Sequence, residues 1–76
     1  MNIVVENHAH RRKEDQGKNL HRYTAFIAFH FEGGEEIDVD APDSTTARSV
    51  AEAVLKSDYE PGGKIRKIVE RFGLYM

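Results

Sequence analysis

The sequence predicts an α+β fold in which a three-stranded antiparallel β-meander packs against a helix. Residues 22–31 and 35–41 alternate apolar and polar side chains with a period of two, which is typical of half-buried strands. Farther along, the period changes to that of an amphipathic helix, with apolar side chains at Ala47, Val50, Ala51, Val54 and Leu55. A chain of 76 residues has room for one small core, so we expect a single domain over residues 1–76.

The two alternating segments predict a hairpin. Its core face carries Tyr23, Ala25, Ile27, Phe29 and Phe31 on the first strand and Ile37, Val39 and Ala41 on the second. A two-residue Gly33-Gly34 turn would put these faces on opposite sides of the sheet. A three-residue loop, Glu32-Gly33-Gly34, instead pairs Phe29 with Ile37 and Ile27 with Val39. It also predicts a left-handed conformation for Gly34, as in a G1 bulge.

Residues 2–11 can supply the third strand. We expect them to pair with the free side of 22–31, with Ile3 and Val5 joining the core face and 13–19 as the connecting loop. Residues 8–22 then form a hairpin tip that extends beyond the core as a partly mobile loop.

The helix has three candidate N-caps, Asp43, Ser44 and Thr45, and Pro61 with two glycines ends it. The last segment, 64–72, fits two structures. Ile65, Ile68, Val69 and Phe72 match a helical face, which favours a second helix, but the segment could also be a fourth strand.

Composition excludes several classes of protein. There are no cysteines, so disulfides and thiolate zinc sites are ruled out. We expect a cytoplasmic protein that does not contact a membrane, because the sequence shows no signal-like start and no long apolar run. The net charge is −2, but it is segregated: residues 31–60 carry nine acids and two basic residues, and residues 61–76 one acid and four basic residues.

The acidic middle predicts a protein-binding surface. Carboxylates follow one face of the strand 35–41 and continue beyond it, and a line of them can occupy a basic surface on a partner. Phe26 adds a large aromatic side chain to this otherwise polar face. The sequence therefore predicts a non-enzymatic protein-binding module that forms a homodimer, with an inhibitor of a basic surface as its sharper version. The expected contact residues are Phe26, Glu32, Glu35, Glu36, Asp38 and Asp40.

The alternative is a nucleic-acid-binding regulator that grips phosphates with the basic hairpin tip at residues 10–22. Glu14 and Asp15 interrupt this charge, and a solvated charged loop is the simpler interpretation. The residues that would carry the contact are His10, Arg11, Arg12, Lys13, Lys18 and Arg22.

Metal binding and catalysis have little support. His8 and His10 would share a strand face, opposite Thr24 and Arg22, but two imidazoles beside a guanidinium are too few for a stable metal site. His30 and Glu36 could form an acid/base pair, but no nucleophile stands near them. We expect no enzyme activity, no metal and no cofactor.

In general character the chain resembles small phage-encoded proteins that bind and inhibit host machinery, including anti-CRISPR proteins and inhibitors of polymerases or nucleoid proteins. The resemblance is carried by the meander "RYTAFIAFHFEGGEEIDVDAPD", the single helix "STTARSVAEAVLKS" and the acidic stripe. It implies a non-enzymatic inhibitor.

Overall fold

The computed structural model describes residues 2–28, 34–58 and 63–71, which form one five-stranded sheet and one helix. The strands lie in the order β1-β2-β4-β3-β5. Their bounds are Ile3–Glu6 (β1), Ala9–Arg12 (β2), His21–Ala28 (β3), Gly34–Ala41 (β4) and Lys64–Glu70 (β5). The helix α1 spans Ser44–Asp58, and a short 3₁₀ turn spans Lys13–Asp15. The predicted α+β class is confirmed.

The core lies between α1 and one face of the sheet. The alternation predicted for β3 and β4 is confirmed, because every described residue assigned to the inner face is buried. The apolar face of α1 packs against them, since this arrangement removes both faces from water. The buried cluster contains Tyr23, Ala25, Ile27, Ile37, Val39, Ala41, Ala47, Val50, Ala51 and Val54.

One of the three candidate N-caps begins the helix. The Thr46 backbone N–H donates to Asp43 Oδ1 at 2.7 Å, and the Ala47 N–H donates to the Asp43 carbonyl at 3.0 Å. Asp43 is therefore the cap. The bond from the Thr46 backbone holds the pKa of Asp43 below its ordinary value.

The register predicted between the central strands is wrong by four residues along β3. Ile37 lies opposite Ala25, and Val39 lies opposite Tyr23. The shift is an even number, so the inner and outer faces stay as predicted. Gly34 pairs with Ala28 and does not have a positive φ; a Cβ there would meet the Ile27 carbonyl oxygen at 2.8 Å. Glycine is needed at this position for close approach of two backbones. The predicted partner Phe29 lies outside the described residues, as do His30, Phe31 and Glu32.

The predicted meander is only partly correct, because residues 2–12 do not pair with β3. They fold into their own hairpin, β1 with β2, around Asn7 and His8, whose φ angles of 54° and 64° suit a tight two-residue turn. β2 then joins β4 in parallel, with His10 opposite Val39. Ile3 packs against the core as predicted, but Val5 is 61% exposed because β1 is an outer strand of the sheet.

The C-terminal segment is a strand, so the helical interpretation is wrong. β5 pairs antiparallel with β3, on the side that the sequence assigned to the first strand. Ile65 lies opposite Ile27 and Lys67 opposite Phe26, which leaves Arg66 as the extra residue of a β-bulge. The bulge shifts the alternation by one residue, and both Ile65 and Ile68 pack against the core.

Candidate protein-binding face

The face of the sheet opposite α1, called here the open face, brings together most of the residues predicted for a binding site. Residues that lie opposite each other on neighbouring strands share a face. From the pairing of β3 with β4 and β5, the open face carries Arg22, Thr24, Phe26, Ala28, Glu36, Asp38, Asp40, Lys64, Lys67 and Val69.

Two of the four described acids of the predicted stripe have internal partners. Arg22 Nε donates to Asp40 Oδ1 at 2.6 Å, and Asp40 is only 5% exposed. The Thr24 hydroxyl donates to Asp38 Oδ1 at 2.9 Å, and Thr24 is buried. Each pair joins β3 to β4 at directly opposed positions, where such contacts stabilise a sheet. Asp38 and Asp40 therefore link β3 to β4, and the predicted contact residue Asp40 is buried in this structure.

The exposed acids of the predicted site lie at the start of β4. Glu35 and Glu36 are exposed, and neither forms an ion pair with another described residue. Glu36 points to the open face opposite Phe26, whereas Glu35 lies opposite Ile27 and points to the other face. The two carboxylates thus flank one end of the β3–β4 pair.

Phe26 is the aromatic centre of the open face. It is half-buried, with Glu36 opposite it on β4 and Lys67 opposite it on β5. The Lys67 ammonium stands 5.0 Å from the centroid of the Phe26 ring, within the range of a cation–π contact. The contact holds a cation beside the ring while Lys67 itself stays exposed.

An open pocket of about 450 Å³ adjoins the ring. Its lining combines an aromatic ring, two carboxylates and a guanidinium, in the residues Phe26, Ile27, Gly34, Glu35, Glu36 and Arg66. The lining contains no nucleophile and no histidine. Such a surface can bind a partner by apolar contact and by charge.

The basic stretch predicted as a nucleic-acid arm, residues 10–22, contains an ion pair between two of its own residues. The Arg12 guanidinium donates two hydrogen bonds to the carboxylate of Asp15, at 2.7 and 2.8 Å, and Lys18 Nζ approaches the same group at 3.3 Å. Asp15 is fully buried. The bonds from Arg12 and then from Lys18 hold the pKa of Asp15 below its ordinary value although burial opposes this.

Two more of the cations predicted for that arm also form ion pairs within the chain. Arg11 is ion-paired with Glu6, and Arg22 with Asp40. His10 lies on β2 between Val5 and Val39, while Lys13 is exposed in the 3₁₀ turn. Four of the six residues proposed to contact phosphates therefore have carboxylate partners within the chain.

A group of exposed cations lies on β5 and just beyond it, where the sequence predicted no site. Lys64, Arg66 and Lys67 are all exposed, and so is Arg71 beyond the strand. The excess of positive charge after residue 60 was a usable signal. It was missed because the helical interpretation places these side chains on the outer face of a helix and not along a strand at the edge of the sheet.

The three histidines within the described residues do not form a cluster. His8 lies in the β1–β2 turn, so it does not share a strand face with His10, and neither faces Thr24 or Arg22 as predicted. His21 Nδ1 lies 3.2 Å from Glu70 Oε2 on the neighbouring strand. Across residues 2–28, 34–58 and 63–71, no group of three or more His, Asp and Glu side chains is arranged to hold a metal ion.

In the described part of the chain, no helix is both long enough and apolar enough to cross a membrane. Comparisons of this chain with models of protein families, with curated proteins and with solved structures found no match.

Proposed function

We propose that the chain is a non-enzymatic, cytoplasmic protein-binding module that forms a homodimer and binds through the open face around Phe26. The observation that carries the proposal is the position of Phe26 and of the charged side chains beside it. Phe26 is a half-buried aromatic residue on the face that α1 leaves uncovered, with the exposed Glu36 on one side and the exposed Lys67 on the other.

Interface energetics favour such a site. Binding energy concentrates in a few aromatic and charged side chains that are already held in place before the partner arrives. Phe26 is fixed by its central strand and by Lys67, so it loses little conformational freedom on binding. Glu35 and Glu36 form no ion pair with a described residue, which makes a cationic contact on the partner favourable.

An inhibitor with this structure would use fewer of its acids to contact a partner than the sequence predicted. A partner's basic surface would meet Glu35 and Glu36, with Phe26 beside them, while Asp38 and Asp40 support the sheet from within. Glu32 stays a predicted contact residue. A resemblance in general character to phage-encoded inhibitors accords with this version.

The nucleic-acid alternative has lost most of its contact residues. To grip phosphates, Arg11, Arg12 and Arg22 would have to leave Glu6, Asp15 and Asp40. Breaking the Arg12–Asp15 pair would leave a buried carboxylate with Lys18 as its remaining cation, at a cost of about 2 to 3 kcal/mol. The ion pairs therefore favour protein binding.

The test is site-directed photo-crosslinking in the host cell. A photoreactive phenylalanine derivative replaces Phe26, and in a second variant Glu36; a third variant carries it at Glu52, an exposed position on α1, as the control. We expect covalent protein adducts from positions 26 and 36, identified by mass spectrometry. The adduct from position 26 should disappear when Glu35 and Glu36 are both changed to lysine. Equal adducts from position 52, or an adduct at 26 that survives the charge reversal, would contradict the proposal.

A further inference from the structure

Three strands of the open face carry a row of side chains with opposite charges at its two ends. Glu36 on β4, Phe26 on β3 and Lys67 on β5 lie directly opposite one another. Both charged ends are exposed, and neither forms an ion pair with another described residue. The row thus reads acid, aromatic, base across the sheet.

We infer that the open face binds a second copy of this chain, face to face, through a two-fold axis that runs along β3 past Phe26. This inference rests on the proposed protein-binding function and names its partner. The axis exchanges the positions of β4 and β5, so Glu36 of each copy meets Lys67 of the other, and the two Phe26 rings meet at the centre. The basic surface that the acids require is then supplied by the chain itself.

Charge also selects this axis over the other two-fold that stacks the same faces. An axis across the strands would place Glu36 against Glu36 and Lys67 against Lys67, and like charges in contact oppose association. Only the axis along the strands brings Glu36 of each chain against Lys67 of the other. The row is therefore self-complementary in one arrangement.

The neighbouring rows are compatible with that arrangement. In the next row, Asp38, Thr24 and Val69 lie opposite one another. There Asp38 would face Val69 of the second copy, and its carboxylate already accepts a hydrogen bond from the Thr24 hydroxyl. Arg22 lies near the axis, but its charge is matched by Asp40 within the same chain. No unmatched pair of like charges arises in these rows.

The area available suits a weak, reversible dimer. The axis along β3 lets only β4, β3 and β5 of the two copies overlap, so the shared face measures about 25 by 14 Å and buries about 700 Å² over both copies, the size of a weak and transient contact. We therefore expect association in the micromolar range.

A charge swap tests the pairing by sedimentation over a protein concentration series. Glu36→Lys and Lys67→Glu should each weaken self-association about tenfold or more, because the two-fold repeats each unfavourable contact. The two single variants, mixed together, should form a heterodimer, since every contact again joins unlike charges. This mixing also shows that both variants fold. The double variant Glu36→Lys/Lys67→Glu should associate like the wild type, and Glu52→Lys on α1 is the matched control.

Two results would overturn the inference. One is a wild-type chain that stays monomeric up to about 200 µM, well above the expected range. The other is a dimer that the single reversals at Glu36 and Lys67 leave unchanged. A monomer whose position 26 still crosslinks to another protein would remove the inference and the proposed homodimer, and would leave the proposed protein-binding face standing. Absence of both self-association and specific adducts would remove both.

Discussion

The carboxylate of Asp15 is fully buried and accepts two hydrogen bonds from the guanidinium of Arg12, at 2.7 and 2.8 Å. A backbone hydrogen bond closes the same turn, because the Lys18 N–H donates to the Asp15 carbonyl at 3.1 Å. Gly17 supplies a positive φ of 89° within this turn. Together these contacts turn a cationic stretch into a closed loop after β2.

Changing Asp15 to asparagine should destabilise the fold. The amide keeps the shape but removes the charge that Arg12 and Lys18 face, and breaking a buried ion pair costs about 3 to 5 kcal/mol. Arg12 keeps some contact with water, 22% of its side chain, so we expect a loss of about 2 to 3 kcal/mol in the free energy of unfolding. Urea denaturation at neutral pH measures it. Glu14→Gln, in the same 3₁₀ turn but exposed, is the control, and equal losses in the two variants would contradict the prediction.

The same pair makes stability fall in acid. The pKa of Asp15 is lower in the folded chain than its ordinary value of 3.8, so the stability that its ionisation contributes is present above that value. It is lost as the pH falls through the lower, folded pKa. We therefore expect the gap in unfolding free energy between wild type and Asp15→Asn to be constant from about pH 7 to pH 5 and to shrink below about pH 4. Asp43, whose pKa is also lowered, is present in both proteins, so its main contribution, the bond from the Thr46 backbone, cancels, and only its repulsion by the Asp15 charge, the smallest cause, differs between them. A gap that is unchanged at the lowest pH would count against the ion pair.

The helix cap gives a prediction with two built-in controls. Asp43→Ala removes the acceptor of the Thr46 N–H and should lower the melting temperature by several degrees. Ser44→Ala and Thr45→Ala change the other two candidate caps, which lie inside the first turn, and should leave it nearly unchanged. Thermal unfolding followed by circular dichroism distinguishes the three. A larger effect at Ser44 or Thr45 than at Asp43 would place the cap elsewhere.

Adjacent residues of β5 should respond differently to truncation. Ile68 packs against the core, whereas Val69 is 37% exposed on the open face. Ile68→Ala should cost about 1 to 2 kcal/mol, less than for a fully buried isoleucine, and Val69→Ala less than about 0.5 kcal/mol. A helix with both residues on its apolar face would make the two losses similar. Denaturant titration of both variants therefore tests the strand directly.

Local periodicity was enough to predict β3, β4 and α1, because each of these elements buries one face against the same core. It failed for β5 because the bulge at Arg66 puts Ile65 and Ile68, three residues apart, on one face. That spacing is also the spacing of a helix. The hairpin of β1 and β2 was missed because its turn is Asn7-His8, which lacks the glycine that marks such turns in a sequence.

Of the candidate site, the sequence predicted Phe26 and the outward acids of β4 from alternation alone. It could not show which charges remain available to a partner. Arg22 reaches Asp40 only because β3 and β4 pair in one particular register, and a register depends on long-range contacts as well as on local pattern.

The sequence by itself determined the α+β class, the faces of the central strands, the apolar stripe of α1 and the absence of cysteine chemistry. Each of these depends on the identity and spacing of neighbouring residues. Tertiary structure decided the strand order, the place of β5 beside β3 and the pairing of most of the basic stretch with acids. These depend on which distant segments meet, because a charge is neutralised only by the group that folding brings next to it.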